Sequence, residues 1–161
     1  VADLSWRCVC VGPLTRSPEF VATVQQDIRD TGLDDRLRLV GPRTGDDLDA
    51  AYSASDVLVL ASRIETYGMV VTEALARGLP VIACDVGGVS EALGLGADGS
   101  PPGVLVRAAD VDALAEAVRH WLADAGHRRR LGTSAAQRRA ELTGWDDTTG
   151  RVARVLEGVA A

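Results

Sequence analysis

Residues 62–91 read Ser62-Arg-Ile-Glu65-Thr-Tyr-Gly68-Met-Val-Val-Thr-Glu73-Ala-Leu-Ala-Arg77-Gly-Leu-Pro80-Val-Ile-Ala-Cys84-Asp-Val-Gly87-Gly88-Val-Ser-Glu91. An apolar run just upstream, Val57 to Leu60, reads as a buried strand. A polar loop then leads into a short helix predicted over Gly68 to Arg77. Gly78 and Pro80 stop that helix, glycine past its end and proline just beyond. The β-branched run Pro80 to Ala83 is the next strand. Strand, loop, helix, strand make one βαβ unit, with Glu65 in its loop and Glu73 in its helix.

Such a unit has a ligand side. In open parallel sheets, ligands bind outside the carboxyl ends of the strands, and the Glu65 loop lies at such an end. Gly68 opens the helix, where unpaired backbone N–H groups and the positive end of the dipole favour an anion such as phosphate. Glycine there admits a ligand close to the backbone. A carboxylate at Glu73, one turn in, could accept hydrogen bonds from a sugar hydroxyl pair. Spacing alone leaves a second reading open. Glu73 and Arg77 stand four apart and could be a solvated ion pair, and Glu65 could be an ordinary loop carboxylate.

Outward from this unit the pattern repeats. Trp6 to Val11 is a strand ending at Gly12-Pro13. Ser17-Pro18-Glu19 opens a helix with Phe20, Val21, Val24 and Ile28 as its apolar face and Thr31-Gly32 at its end. Arg36 to Val40 is a strand closing at Gly41-Pro42, and a helix follows from Gly45 to about Ala54. After Gly87-Gly88 come a short helix from Val89 to Leu93, a Gly/Pro-rich loop over Gly94 to Gly103, and a strand over Val104 to Val106. Asp110 caps a helix through Leu122 whose apolar face is Val111, Leu114, Ala115, Val118 and Trp121. A basic helix spans 127–142 and a final helix runs from Trp145 to Val159. Five strands alternating with helices predict an α/β domain, a Rossmann-like parallel sheet with helices on both faces. The unusual loops, Gly12-Pro13, Gly41 to Thr44, Glu65 to Gly68 and Asp85 to Gly88, then share the carboxyl edge.

Composition narrows the function classes. The chain has 161 residues, 47% hydrophobic and 25% charged, which suits one soluble domain with a core. A net charge of −6 argues against nucleic-acid binding. All 17 basic residues are arginine. Cys8, Cys10 and Cys84 fall in apolar strand runs without metal-ligand spacing, so they read as small buried hydrophobes in a reducing, cytoplasmic setting. No apolar run approaches the ~20 residues that span a bilayer. The chain starts without methionine and reads as an excised piece of a longer protein.

Glu65-x7-Glu73, then Ala74-Leu75-Ala76-x-Gly78-x-Pro80-Val81-Ile82-Ala83, then Gly87-Gly88-x-x-Glu91, resembles the signature of the retaining glycosyltransferases of family four. Those enzymes have the GT-B fold of two Rossmann-like domains, and the rest of this chain is similar to their C-terminal, donor-binding domain. The family often has Glu-Gly-Phe-Gly where this chain has Glu65-Thr66-Tyr67-Gly68; the aromatic and the second glycine are kept, so the same backbone path is expected. The resemblance implies that Glu73 binds the ribose of a nucleoside diphosphate sugar. It implies that Gly68, Met69 and Val70, beside Tyr67, hold the phosphates, and that Glu65 acts at the transferred sugar near the reaction centre. The loop Gly41, Pro42, Arg43 and Thr44 would pack on the nucleobase. Gly87 and Gly88 read as a tight turn or as part of the donor site. No metal or other cofactor is implied; the nucleotide sugar is a substrate.

The resemblance also marks what is missing. The family's donor domain begins with another strand and a Gly-Arg…Lys-Gly segment that grips the diphosphate. No such segment precedes Val1, there is no lysine, and Arg16 is a stand-in without positional support. The N-terminal acceptor domain is absent too, so these residues alone are expected not to transfer sugar.

Two glutamates also raise a glycosidase reading. It is set aside because one glutamate belongs at the ribose and the other at the sugar. A non-catalytic flavodoxin-like binding domain is the main alternative; a nucleotide-sugar hydrolase or epimerase is a third. His120 and His127 read as solvated. The arginine-rich helix reads as a solvated face, and a membrane surface for it has no further support. Trp6, Trp121 and Trp145 are expected to pack in the core or under the last helices.

Overall fold

The computed structural model describes residues 1–159; the side chain of Trp145 is also outside the described set. The elements are β1 (Cys8–Val11), α1 (Pro18–Asp30), β2 (Leu37–Gly41), α2 (Gly45–Ser53), β3 (Leu58–Leu60), α3 (Met69–Leu75), β4 (Val81–Asp85), α4 (Val89–Leu93), β5 (Gly103–Arg107), α5 (Val111–Ala123), α6 (Ala125–Glu141) and α7 (Trp145–Val159). Every strand pairing is parallel. The alternation read from the sequence is therefore present in the fold.

β4 is the centre. It pairs with β3 on one side and β5 on the other. Its side chains alternate between faces, as the strand period requires. Val81 and Ala83 join a core with Val71, Ala74 and Leu75 of α3 and Val89, Ala92 and Leu93 of α4. Ile82 points to the opposite core, with Trp121 of α5 and Leu131 of α6. Val81, Ile82 and Ala83 are fully buried, so helices do cover both faces of this sheet.

The five strands do not form one sheet. β1 and β2 make a two-stranded sheet, and β3, β4 and β5 a three-stranded one. Among the described residues no ladder joins them. This corrects the reading of Val57 to Leu60 as a buried strand and of Cys8 and Cys10 as buried hydrophobes. Val9 is 53% exposed, Val59 42%, and Cys10 is exposed with Cys8 half-buried. The physical reason is that β1 and β3 each end a sheet, and an end strand lacks a neighbour on one side. The two thiols face the same way, with sulfurs 4.0 Å apart. The Cys8 thiol stabilises a thiolate at Cys10, lowering that group to about 7, and Cys8 itself is pushed up.

Three smaller expectations are corrected. Phe20, assigned to the apolar face of α1, is 66% exposed, while Ile28 is buried. Val111, at the first position of α5, is 76% exposed; Leu114, Val118 and Trp121 carry the packing, with Ala117 and Leu122 in place of Ala115. The basic helix α6 is not wholly a solvated face. Leu131, Ser134 and Ala135 are buried, and Arg128 donates to the Trp121 and Leu122 carbonyls at 2.8 and 2.7 Å, closing the end of α5. His127 stacks on exposed His120 with ring centres 4.1 Å apart. Trp6 is half-buried beneath the Arg36 guanidinium, 4.2 Å from its ring centre.

Candidate functional site

The loop from β3 to α3 carries Glu65, and its path is set by what lies beneath it. Gly87 has φ +53, and a β-carbon there would sit 1.8 Å from the Glu65 carbonyl oxygen. The Gly88 N–H donates to the Thr66 carbonyl at 3.1 Å, and a β-carbon on Gly88 would come within 3.0 Å of the same oxygen. The turn after β4 is therefore a seat for the Glu65–Tyr67 backbone. The sequence suggests the turn but not what it packs against. Ser62 fixes the side chain: its Oγ donates to Glu65 Oε1 at 2.8 Å.

Gly68 turns the loop into α3. Its φ of +89 is a left-handed conformation, which glycine adopts without the clash a side chain brings. A β-carbon there would also press on Val89 at 3.2 Å. The Val71 N–H is committed to the Gly68 carbonyl at 2.8 Å. The amides of Met69 and Val70 open the helix, where no carbonyl one turn back can accept them. Met69 is exposed and Val70 half-buried. The helix is shorter than the sequence suggests. Gly78, at φ +74, ends it with a pair of closing hydrogen bonds, Leu79 N to Ala74 O at 3.0 Å and Gly78 N to Leu75 O at 2.8 Å.

Glu73 is half-buried, and its carboxylate does not form the ion pair with Arg77 that the spacing left open as an alternative. Its Oε2 accepts from the Tyr52 hydroxyl at 3.0 Å. Arg77 lies over the Tyr52 ring, 4.4 Å from its centre. Its Nη1 donates to the Glu73 backbone carbonyl at 2.9 Å, and its Nη2 pairs with Asp49 of α2. Burial, and then the neighbouring Glu73 carboxylate, push the Tyr52 phenol up to about 12. It stays a hydrogen-bond donor at neutral pH.

Residues 65–68, the start of α3 and Gly87-Gly88 thus form one contiguous unit. The loop Gly41 to Thr44 leaves β2 in the other sheet. Gly41 is buried, and its carbonyl accepts from Gly12 N–H at 3.0 Å. Pro42 and Arg43 are exposed, with Arg43 3.6 Å from Asp47. This loop leads into α2, and through Tyr52 of α2 it is linked to Glu73. Arg16 is exposed in the loop after β1. Sequence reasoning missed Ser62 and Tyr52. Ser62 lies three residues before Glu65, a local signal. Tyr52 lies 21 residues before Glu73, and nothing local joins them.

Thr66, Tyr67 and Met69 are exposed at the site. A hollow of about 740 Å³ at the amino ends of β3 and β4, beside Asp56, Pro80 and Trp121, reaches the Glu73 clamp, since Tyr52 and Arg77 line it; another of about 460 Å³ lies beside Ser100 and Arg130. Among the described residues no three His, Cys, Asp or Glu side chains are grouped to hold a metal ion. No helix of the described residues is long and apolar enough to cross a membrane.

The sequence profile described as "Glycosyl transferases group 1" matches residues 2–138. A D-inositol 3-phosphate glycosyltransferase from Salinispora tropica is 39% identical over 148 residues, 92% of this chain and 30% of that protein. One from Streptomyces bingchenggensis is 40% identical over 124 residues, 77% of this chain and 26% of that protein. The chain thus spans about 30% of the length of the curated relatives it matches. Among solved structures, sucrose-phosphate synthase from Thermosynechococcus elongatus superposes with a TM-score of 0.74 at 32% identity, covering 94% of this chain and 38% of that one. HepE from Anabaena, in complex with UDP, shares the fold at a TM-score of 0.82 and 23% identity, over 95% of this chain and 41% of that one. With the profile covering residues 2–138, on a parallel α/β fold whose solved neighbours are GT-B glycosyltransferases, the chain belongs to the group 1 glycosyl transferases.

Proposed function

We propose that residues 1–161 form the donor-binding domain of a retaining glycosyltransferase, which moves a sugar from a nucleoside diphosphate sugar to an acceptor held by its own N-terminal domain. The observation that carries this reading is the pair of hydroxyl-anchored carboxylates, Glu65 on Ser62 and Glu73 on Tyr52, standing on either side of the left-handed start of α3. Glu73 takes the ribose hydroxyls. Gly68, Met69 and Val70 present amides to the phosphates, with Tyr67 beside them. Glu65 faces the transferred sugar. Gly41, Pro42 and Arg43 pack on the base, while Gly87 and Gly88 serve by holding the Glu65 loop. In this scheme the anomeric carbon–oxygen bond to phosphate breaks, and the leaving diphosphate is stabilised electrostatically. No metal takes part.

Two features support further partners. Thr66, Tyr67 and Met69 are exposed, as one wall of a cleft between domains would be. Val152, Val155, Leu156 and Val159 form an exposed apolar stripe along α7, at helical spacing, suited to the N-terminal domain. The alternative of an incidental pair of surface carboxylates predicts two glutamates free in solvent, whereas both are half-buried and hydrogen-bonded.

Calorimetry with UDP, GDP and ADP tests the proposal. One of them binds, and Glu73→Ala loses about 1–3 kcal/mol, the cost of a lost charged hydrogen bond. Binding that is indifferent to Glu73→Ala would remove the ribose role and with it the donor reading.

A further inference from the structure

We infer that Tyr52 is the positioning residue for Glu73, holding one carboxylate oxygen so that the other is presented to the vicinal hydroxyls of a ligand's ribose. The inference rests on the donor reading above.

A glutamate on a short surface helix has three free torsions, and ordering them at the moment of binding weakens the complex. Here the ordering is done in advance. Tyr52 is 8% exposed, and its hydroxyl reaches Glu73 Oε2 at 3.0 Å. The ring has no freedom to swing away. It belongs to the core cluster that includes Val71 and Leu75 and lies under the Arg77 guanidinium. Arg77 is itself tied to the Glu73 carbonyl and to Asp49. The carboxylate, its backbone and its hydroxyl donor are thus held as one piece. Packing alone would be served equally well by phenylalanine, so the hydroxyl marks a polar task. A carboxylate accepts at both oxygens. With Oε2 committed to Tyr52, Oε1 remains for the ligand, and the phenol O–H makes its orientation fixed.

The test is a ligand cycle. Binding of UDP, GDP and ADP is measured beside their 2′,3′-dideoxy counterparts, for the wild-type chain and for Tyr52→Phe, with circular dichroism to verify the fold. The wild type prefers the ribonucleotide. Tyr52→Phe weakens the ribonucleotide roughly tenfold and leaves the dideoxy form unchanged. Equal weakening of both ligands would reduce Tyr52 to a packing residue and overturn the inference. Tighter ribonucleotide binding would also overturn it, since Tyr52 would then compete with the ligand. A wild-type chain that binds ribo and dideoxy forms alike, or binds neither even with the residues upstream of Val1 restored, overturns the ribose role of Glu73 itself, a failure that shows before any variant is made. If Tyr52→Phe does not fold, Tyr52→Met, which fills the ring's place without a hydroxyl, gives the same ribose-specific loss; a loss common to both ligands, or none, refutes the inference.

Discussion

A β-carbon on Gly87 would overlap the carbonyl oxygen of Glu65, while one on Gly99, also left-handed at φ +77, would meet nothing within 4 Å. The two glycines separate conformational cost from steric cost. Gly99→Ala reports the left-handed penalty alone, about 1–2 kcal/mol. Gly87→Ala adds the displacement of the Glu65 loop, for a total of about 3 kcal/mol or more, read by urea unfolding. Equal losses would mean that the loop is not seated on Gly87. Residues of this kind are legible in a sequence because their spacing is local. Glu65, Gly68, Glu73 and Gly87-Gly88 all fall within one βαβ unit. Tyr52 is not legible, because its hydrogen bond to Glu73 exists only once α2 and α3 pack together.

Among elements, the junction of α5 and α6 responds to pH. Burial is the first cause that holds His127 below the usual histidine value; His120 and Arg130 add to it, and Asp124 opposes. The folded state therefore favours neutral His127, whereas the unfolded chain takes up a proton near pH 6.5. Protons bind the unfolded state more readily, so stability falls as pH drops below that value toward the lower folded one. Melting temperature between pH 6.5 and 5.5 is expected to decline, and His127→Gln is expected to flatten the decline. Asp124, whose carboxyl is held low by the His127 N–H, contributes only in the acid range below this window. A slope unchanged by the substitution would place the titration elsewhere. Element positions were legible from period and caps, mostly within two or three residues. Faces were less so. Phe20 and Val111 continue an apolar stripe in the sequence but fall where no partner packs on them.

For the molecule as a whole, the division between β2–β1 and β3–β4–β5 leaves two apolar edges, Val9 and Val59, in water. The donor-domain proposal predicts a further strand between them, supplied by residues upstream of Val1. A longer polypeptide that includes those residues is expected to slow amide exchange in β1 and β3 selectively and to raise the melting temperature. Uniform protection, or none, would leave the two sheets as the final architecture. The sequence pattern predicts the strands, their order and their parallel sense, but not this division. Val57 to Leu60 looks the same whether a strand lies beside it or not, because burial depends on a neighbour the run itself does not encode.

The clamp of Asp49, Tyr52, Glu73 and Arg77 has a consequence for how this protein can vary over generations. Each member gains its fixed geometry from the others, so effects of changing them will not simply add. Drift at one position alters the selective value of the rest, and the four are best inherited together. A chimera that imports α2 from a relative without the matching α3 would carry both glutamates of the signature and still hold one of them loosely.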